Sequence, residues 1–241
     1  YPGLTQDAVL TISTVGDSVQ KETYLPKMVE GVWSGTMNLS EPQCGTDLGL
    51  TKSSAVPQGD GTYKITGNKI FISSGEHDLT ENIIHLVLAR IPDSPTGTRG
   101  LSMFIVPKYI VDEDGNLVSR NNLKCVNVEK KMGIHGNATC EILYEDAQGF
   151  LIGEKNKGLN SMFVMMNIAR LQTGMQGLAI SELARQKAVE YSRLRKQGRK
   201  RGGANGSIPI IGHPDIKRIL AGISAFTEGA RAVALWTALL M

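Results

Sequence analysis

The sequence predicts an α+β protein: an antiparallel β-barrel or sandwich, flanked by a helical N-terminal remnant and a portion of a C-terminal helix bundle. Three observations carry this. Between Val32 and about Gly153 the chain breaks into short alternating or β-branched runs bounded by Gly, Pro, Asn and Asp, with no long helical pattern between them. From Asn156 the apolar period switches to that of a helix, with Leu159, Met162, Phe163 and Met166 on one face. Residues 1–31 also follow a helical pattern, which Thr23-Tyr24-Leu25-Pro26 is expected to break, leaving Lys27–Glu30 for a short turn.

Taken in order, strands are expected near Val32–Leu39, Lys52–Val56, Tyr63–Ser73, Ile83–Arg90, Leu101–Pro107, Cys125–Lys130 and Cys140–Tyr144. Turn signals separate them at Gly59-Asp60-Gly61, Thr66-Gly67-Asn68, Pro92–Gly97 and Asp112–Asn116. The first long helix runs to about Arg193. A second begins after His213-Pro214, where Ile216, Ile219, Leu220, Ile223, Ala230, Val233 and Ala234 trace an apolar stripe. Gly198–Gly212 between them reads as a flexible connection.

Composition narrows the class. In 241 residues, 41% are hydrophobic and 20% charged, which suits a packed globular core and argues against disorder. No apolar run is long enough to span a bilayer, and the first residues lack the basic-then-apolar pattern of a secretory signal. The absent initiator Met and the helical pattern at the last residues are those of a piece of a longer chain. Cys44, Cys125 and Cys140 have no metal-like spacing and fit a reducing compartment, cytoplasmic or mitochondrial matrix. The net charge of +3 comes from one place: Arg193, Arg195, Lys196, Arg199, Lys200 and Arg201 crowd into nine positions, and without them the balance is negative. Charge so concentrated suits a phosphate group rather than a broad nucleic-acid surface.

Two stretches could carry chemistry. In Met37–Gly49 a strand runs into Pro42 and a tight loop with Gly45, Thr46 and Asp47. Such a loop offers open backbone N–H groups and the hydroxyls of Ser40 and Thr46 to a pyrophosphate or a polar ring edge; a plain β-turn accounts for it equally well. In Ile65–Asp78, Phe71 and Ser73 are expected on one strand face, where an aromatic ring and a hydroxyl can meet a flat heterocycle or simply pack in the core. Glu41 reads as a loop-stabilising carboxylate. Glu76-His77-Asp78 is a polar cluster without the further ligands a metal site needs, and no metal is expected.

These stretches resemble the acyl-CoA dehydrogenase family. Met37–Asp47 is similar to its aromatic-x-x-Thr-Glu-Pro-x-x-Gly-Ser-Asp loop, and Gly67–Ser73 to its Gly-x-Lys-x-Trp-Ile-Thr strand. Glu129–Gly133 matches its EKKMG turn, and Leu151–Gly158 resembles the entry to its helical C-terminal domain. The run from Thr66 to Arg90 looks most like the branch with an extended C-terminus, which includes 3-methylmercaptopropionyl-CoA dehydrogenase-like members. The resemblance divides the chain into a remnant of the N-terminal helical domain (1–31), a middle β domain for flavin and acyl-CoA (32–153) and the first part of the C-terminal helical domain (154–241).

It implies FAD as cofactor, with Met37, Leu39 and Ser40 along the flavin, Gly45 and Thr46 at the pyrophosphate, and Phe71, Ile72 and Ser73 over the ring. It implies that Thr46, Asn167 and Arg170 meet the acyl-CoA substrate, that Arg195 and Gln197 reach the FAD of a neighbouring subunit, and that His213 either touches FAD or caps the second helix. A homo-oligomer and an electron-transfer flavoprotein as electron acceptor are implied with them. Met37 and Phe71 replace the usual aromatic and Trp, and Ser40 and Ser73 replace Thr, which keeps the apolar face and the hydroxyls. Gly198 and Pro214 replace residues of the adenine end. The family reaction is α-proton abstraction with β-hydride transfer to flavin, giving a trans-2-enoyl-CoA. Its base is a Glu in a Tyr-Glu-Gly segment or, in a minority, just before the Arg matching Arg170. Here Ala169 stands at the latter place, so no catalytic residue is assigned and this chain alone is expected to be inactive. An acyl-CoA oxidase and a non-catalytic acyl-CoA- or flavin-binding module are the alternatives.

Overall fold

The computed structural model describes residues 2–112, 114–199, 202–203 and 206–240, and the chain divides into two compact units, Tyr1–Ala169 and Arg170–Met241. In the first, α1 (Pro2–Val15) and α2 (Ser18–Val29) part at Gly16-Asp17. Asp17 caps α2 reciprocally: its carboxylate accepts from Gln20 N at 2.8 Å, and the Gln20 side chain accepts from Asp17 N at 3.3 Å. The expected break at Thr23–Pro26 does not occur. Pro26 lies inside α2, where it removes a single backbone donor, while Tyr24 and Met28 on either side of it are buried in the core beside Trp33.

Among the described residues nine strands follow: β1 (Trp33–Asn38), β2 (Ser54–Pro57), β3 (Thr62–Ser73), β4 (Asn82–Arg90), β5 (Leu101–Pro107), β6 (Tyr109–Val111), β7 (Leu117–Arg120), β8 (Leu123–Val128) and β9 (Thr139–Ile152). The main sheet has the order β1-β4-β2-β3-β9-β5, with β5 also against β4 and β8 against β9. Two features of the expected antiparallel barrel or sandwich are corrected. β1 runs parallel to β4, in register from Trp33↔Asn82 to Asn38↔Val87. The long connection through β2 and β3 gives the chain room to return in the same direction. The sheet also folds back on itself without closing as a barrel, since β2 meets β4 at the single pair Ser54↔Arg90. The predicted turn at Asp112–Asn116 joins β6 to β7, a hairpin too short and too exposed to show in the sequence pattern.

β4 and β5 are buried on both faces, which is why they read as unbroken apolar runs. Ile84, Leu86, Leu88, Met103 and Ile105 pack with Ala8, Ile12, Trp33, Met162 and Met165; Val87, Ala89, Phe104 and Val106 pack with Ile65, Ile72, Cys140 and Ile142. Each fully buried side chain of this size contributes about 1.5–3 kcal/mol. Helix α3 (Gly158–Leu194) starts against β5, and only glycine fits there: a Cβ on Gly158 would lie 2.3 Å from the carbonyl carbon of Ser102.

In the second unit α4 spans Pro214–Leu240. Glu182 of α3 pairs with Arg185 at 2.6 Å and with Arg231 of α4 at 3.1 Å. The connection expected to be flexible is anchored at both ends. Gln197 N donates to Ile208 O at 3.0 Å, Ile208 N to Gly198 O at 3.1 Å, and Ile210 N to Arg195 O at 2.8 Å. No described helix is long and apolar enough to cross a membrane.

Candidate functional site

The loop after β1 is fixed from beneath. Glu41 and Cys44 exchange backbone hydrogen bonds of 2.8 and 3.0 Å, which closes the turn Glu41–Cys44. The Glu41 side chain, 3% exposed, accepts from Lys52 N at 2.8 Å, Ser53 N at 3.1 Å, Ser53 Oγ at 2.6 Å and Lys69 Nζ at 2.9 Å, and also from Gln43. Lys69, itself fully buried, donates further to Leu39 O at 2.9 Å. Burial pushes the Glu41 carboxyl up, but the Lys69 ammonium, the Ser53 hydroxyl and the Lys52 amide outweigh it and hold it at about 2. Burial lowers the Lys69 ammonium, and Glu41 opposes that shift. The expected loop-stabilising role of Glu41 is thus what its contacts describe. Its partner Lys69 was foreshadowed by a lysine at a core position of an otherwise alternating strand.

Above this anchor lie the expected ligand groups. Met37, Leu39 and Ser40 are half-buried, while Gly45 and Thr46 are exposed and a Cβ on Gly45 would meet nothing within 4 Å. Ile70 N donates to Ser40 O at 2.9 Å, which stitches the loop to β3. β3 is bulged at that point: Lys69 pairs with Ile142 and Ile72 with Cys140, so Ile70 and Phe71 together oppose one residue. Phe71 takes the left-handed conformation, φ 59°, and is 60% exposed. The bulge interrupts the alternation between Lys69 and Ile72, both buried, while Phe71 and Ser73 lie on either side of the buried Ile72. A bulky residue held at positive φ and presented to solvent is a strained arrangement of the kind found at ligand sites. The Ile72 side chain is spent in the core, so only its backbone is available to a ligand.

Asn167 and Arg170 are exposed positions of α3. Within the second unit Arg195 and Gln197 are exposed, and His213 Nε2 donates to Gln197 O at 2.7 Å, with its ring against Gly198. His213 also accepts the Lys217 amide through its carbonyl at the start of α4. Arg193, Lys196 and Arg199 of the basic cluster are exposed too; Lys200 and Arg201 lie outside the described residues.

Two polar features escaped the sequence reading. Under β1, Thr36 Oγ1 bonds His85 Nδ1 at 2.7 Å, Asn38 Nδ2 donates to Thr36 Oγ1 at 2.8 Å and Tyr144 OH donates to Asn38 Oδ1 at 3.0 Å, all buried. Burial holds the His85 imidazole neutral, its pKa lowered to about 3. The one signal was a histidine inside an apolar strand. Nearby, an apolar cleft of about 560 Å³ is lined by Thr5, Val9, Met28, Trp33, Ser34 and His77 among others. Leu79 N donates to His77 Nδ1 at 3.3 Å, so Nε2 carries the proton it gives to Ser34 Oγ at 3.2 Å; Ser34 then donates to Thr80 Oγ1 at 3.2 Å. Glu76, beside His77, is taken up by Lys108 and by Arg120 at 2.8 Å.

Residues 36–147 match the family model described as acyl-CoA dehydrogenase, middle domain. A curated relative, 3-methylmercaptopropionyl-CoA dehydrogenase of Ruegeria pomeroyi, is 52% identical over 237 residues, which are 98% of this chain and 40% of that protein. The chain therefore spans well under half of that relative's length. The solved structure of butyryl-CoA dehydrogenase from Megasphaera elsdenii superposes with a TM-score of 0.77 at 31% identity, covering 97% of this chain and 56% of that one. An acyl-CoA dehydrogenase complexed with FAD, from Bacillus anthracis, superposes with a TM-score of 0.72 at 27% identity, covering 93% of this chain and 35% of that one.

Proposed function

This chain belongs to the acyl-CoA dehydrogenase family, and on that premise we propose that it supplies the flavin cradle and part of the substrate site of an FAD-dependent acyl-CoA dehydrogenase. One observation carries the reading: a loop with open Gly45 and Thr46 is pinned by the buried Glu41–Lys69 pair against a bulged strand that presents Phe71 at φ 59°. That is a rigid floor with an exposed aromatic and free backbone groups beside it, which suits a flat heterocycle carrying a pyrophosphate.

FAD, when bound, supplies the hydride acceptor that turns an acyl-CoA into its trans-2-enoyl-CoA. The residues here hold it. Met37 and Leu39 offer apolar surface, and Ser40 a hydroxyl for the pyrimidine edge. Gly45 and Thr46 offer amides and a hydroxyl to the pyrophosphate, and Phe71, the Ile72 backbone and Ser73 cover the ring. Thr46, Asn167 and Arg170 orient the CoA ester. Arg195 and Gln197, with His213 ordering their loop, reach the FAD of a second subunit in a homo-oligomer, where a guanidinium suits a pyrophosphate. An electron-transfer flavoprotein takes the electrons, in the cytoplasm of a bacterium.

None of the described acids at the cradle is a base. Glu41 is ionised but wrapped by five donors, and Ala169 stands before Arg170. Among the described residues at the cradle no carboxylate is placed to take the α-proton, and this chain by itself is expected not to turn over. The test uses the complete protein that carries this chain. It is expected to hold one FAD per subunit and to form enoyl-CoA, and Phe71→Gly is expected to weaken FAD at least about tenfold, the loss of one stacking ring, while leaving the circular dichroism unchanged. A complete, folded protein that neither copurifies with nor takes up FAD would overturn the reading.

A further inference from the structure

Two of the three cysteines lie diagonally across one β ladder, and we propose that Cys125 and Cys140 form a reversible intramolecular disulfide when the protein meets a low-molecular-weight disulfide such as oxidised glutathione. β8 and β9 are antiparallel, with Cys125 opposite Ile142 and Val128 opposite Cys140. Cys140 and Ile142 stand two residues apart on one face of β9, so Cys125 and Cys140 are diagonal neighbours across the ladder. Diagonal neighbours lie about 7–8 Å apart at Cα, so closing a disulfide requires the backbone to move. The register slips between Cys125 and Asn127, and the extra residue there gives β8 the local freedom to close the gap. Cys140 is buried in an apolar cluster, and Cys125 packs against the same cluster. Cys44 takes no part: it is buried elsewhere, its Sγ 3.6 Å from Thr51 Oγ1.

Unequal exposure orders the two steps. Cys125 is half-buried, with its Sγ donating to Asn127 O at 3.2 Å, whereas Cys140 is buried. The Cys125 thiolate attacks the external disulfide, forming a mixed disulfide and releasing one thiol. The Cys140 thiolate then displaces the second thiol and closes the ring. In sum, two protein thiols are oxidised to one disulfide, and one external disulfide is reduced to two thiols. Burial, then the neighbouring Cys125, pushes the Cys140 thiol up to about 11, so the closing step accelerates as the pH rises from 7 to 9. Cys140 also pairs with Ile72, next to Phe71 and Ser73, and a Cβ on Gly75 would lie 2.9 Å from its Cβ, so closure displaces the end of β3.

The native protein is incubated with oxidised glutathione at pH 8, and its intact mass and tryptic peptides are read. The expected product lacks the mass of two hydrogens, yields one peptide linking Cys125 to Cys140, and reverts in dithiothreitol. Cys140→Ser is expected to stop at a single glutathione adduct on Cys125, and Cys125→Ser to gain neither adduct nor link. Amide exchange at residues 71–75 is expected to change on closure. A wild-type protein that remains unmodified, or accumulates the Cys125 adduct without closing it, or joins Cys44 instead, would overturn the proposal. The mass and peptide readouts are independent of flavin, so they stand apart from a failure of the proposed function.

Discussion

Glu41 and Lys69 sit almost wholly out of water, and a buried pair is strongly destabilised by losing one member because the other is left uncompensated. Glu41→Gln is expected to lower stability at pH 7 by about 3 kcal/mol. The Glu41 carboxyl is held at about 2, below its usual 4.5, so on acidification the unfolded chain takes up the proton first. The contribution is fully present above about pH 5 and is lost as the pH falls through about 2. Urea melts of both proteins at pH 7 and pH 3 are expected to show the gap narrowing, and a constant gap would refute the assignment. His85 acts in a different window. Its imidazole is held neutral down to about pH 3, whereas an unfolded histidine protonates near 6.5. Stability from His85 is complete above 6.5 and falls by about 1.4 kcal/mol per pH unit below it. His85→Gln is expected to flatten the urea-midpoint profile between pH 6.5 and 5 relative to the wild type, and the difference between the two removes the contribution of half-buried His77.

Among elements, most strands of the sheet were legible because each carries its own signal, but β9, read as Cys140–Tyr144, runs from Thr139 to Ile152, and the turn expected at Thr66-Gly67-Asn68 lies inside β3. β4 and β5 are apolar on both faces, and β3 alternates around Ile65 and Lys69. What the pattern could not carry was pairing. The parallel β1–β4 match depends on which strands meet, and the bulge at Phe71 depends on a register slip against β9. Local cues misled where burial outweighed them, as at Pro26, and the capping box of Asp17 with Gln20, which marks the true break, went unread. The site shows the same division: Gly45, Thr46 and Phe71 stood out as residues, but the polar floor of Ser53, Lys69 and Glu41 forms only after folding. The junction of α3 with β5 was equally invisible, and it is testable. Gly158→Ala places a methyl group 2.3 Å from the Ser102 carbonyl carbon, so α3 must shift outward. Thermal melts are expected to show a loss of about 1–3 kcal/mol; an unchanged midpoint would mean that the helix start is not packed as tightly as described.

On the scale of the whole molecule the two units differ in what they bury. The first contains both apolar clusters, with β4 and β5 sealed on each face. In the second, α4 has Thr227 as its buried residue and exposes Phe226 (83%), Trp236 (69%) and Leu239 (88%). Apolar side chains left in water contribute nothing to holding a helix, and exposed ion pairs such as Asp215–Arg218 contribute little. Isolated helices of this kind open at low free energy. Within this chain α4 is therefore expected to exchange its amide hydrogens orders of magnitude faster than β4 or β5, and limited proteolysis is expected to cut α4 before any site in the sheet. In any longer protein whose further segments cover these side chains, α4 protection is expected to rise while that of β4 and β5 stays as it is. Equal protection of α4 and β4 in this chain by itself would show that the helix needs no cover, and the link drawn here between burial and local stability would then fail for the second unit.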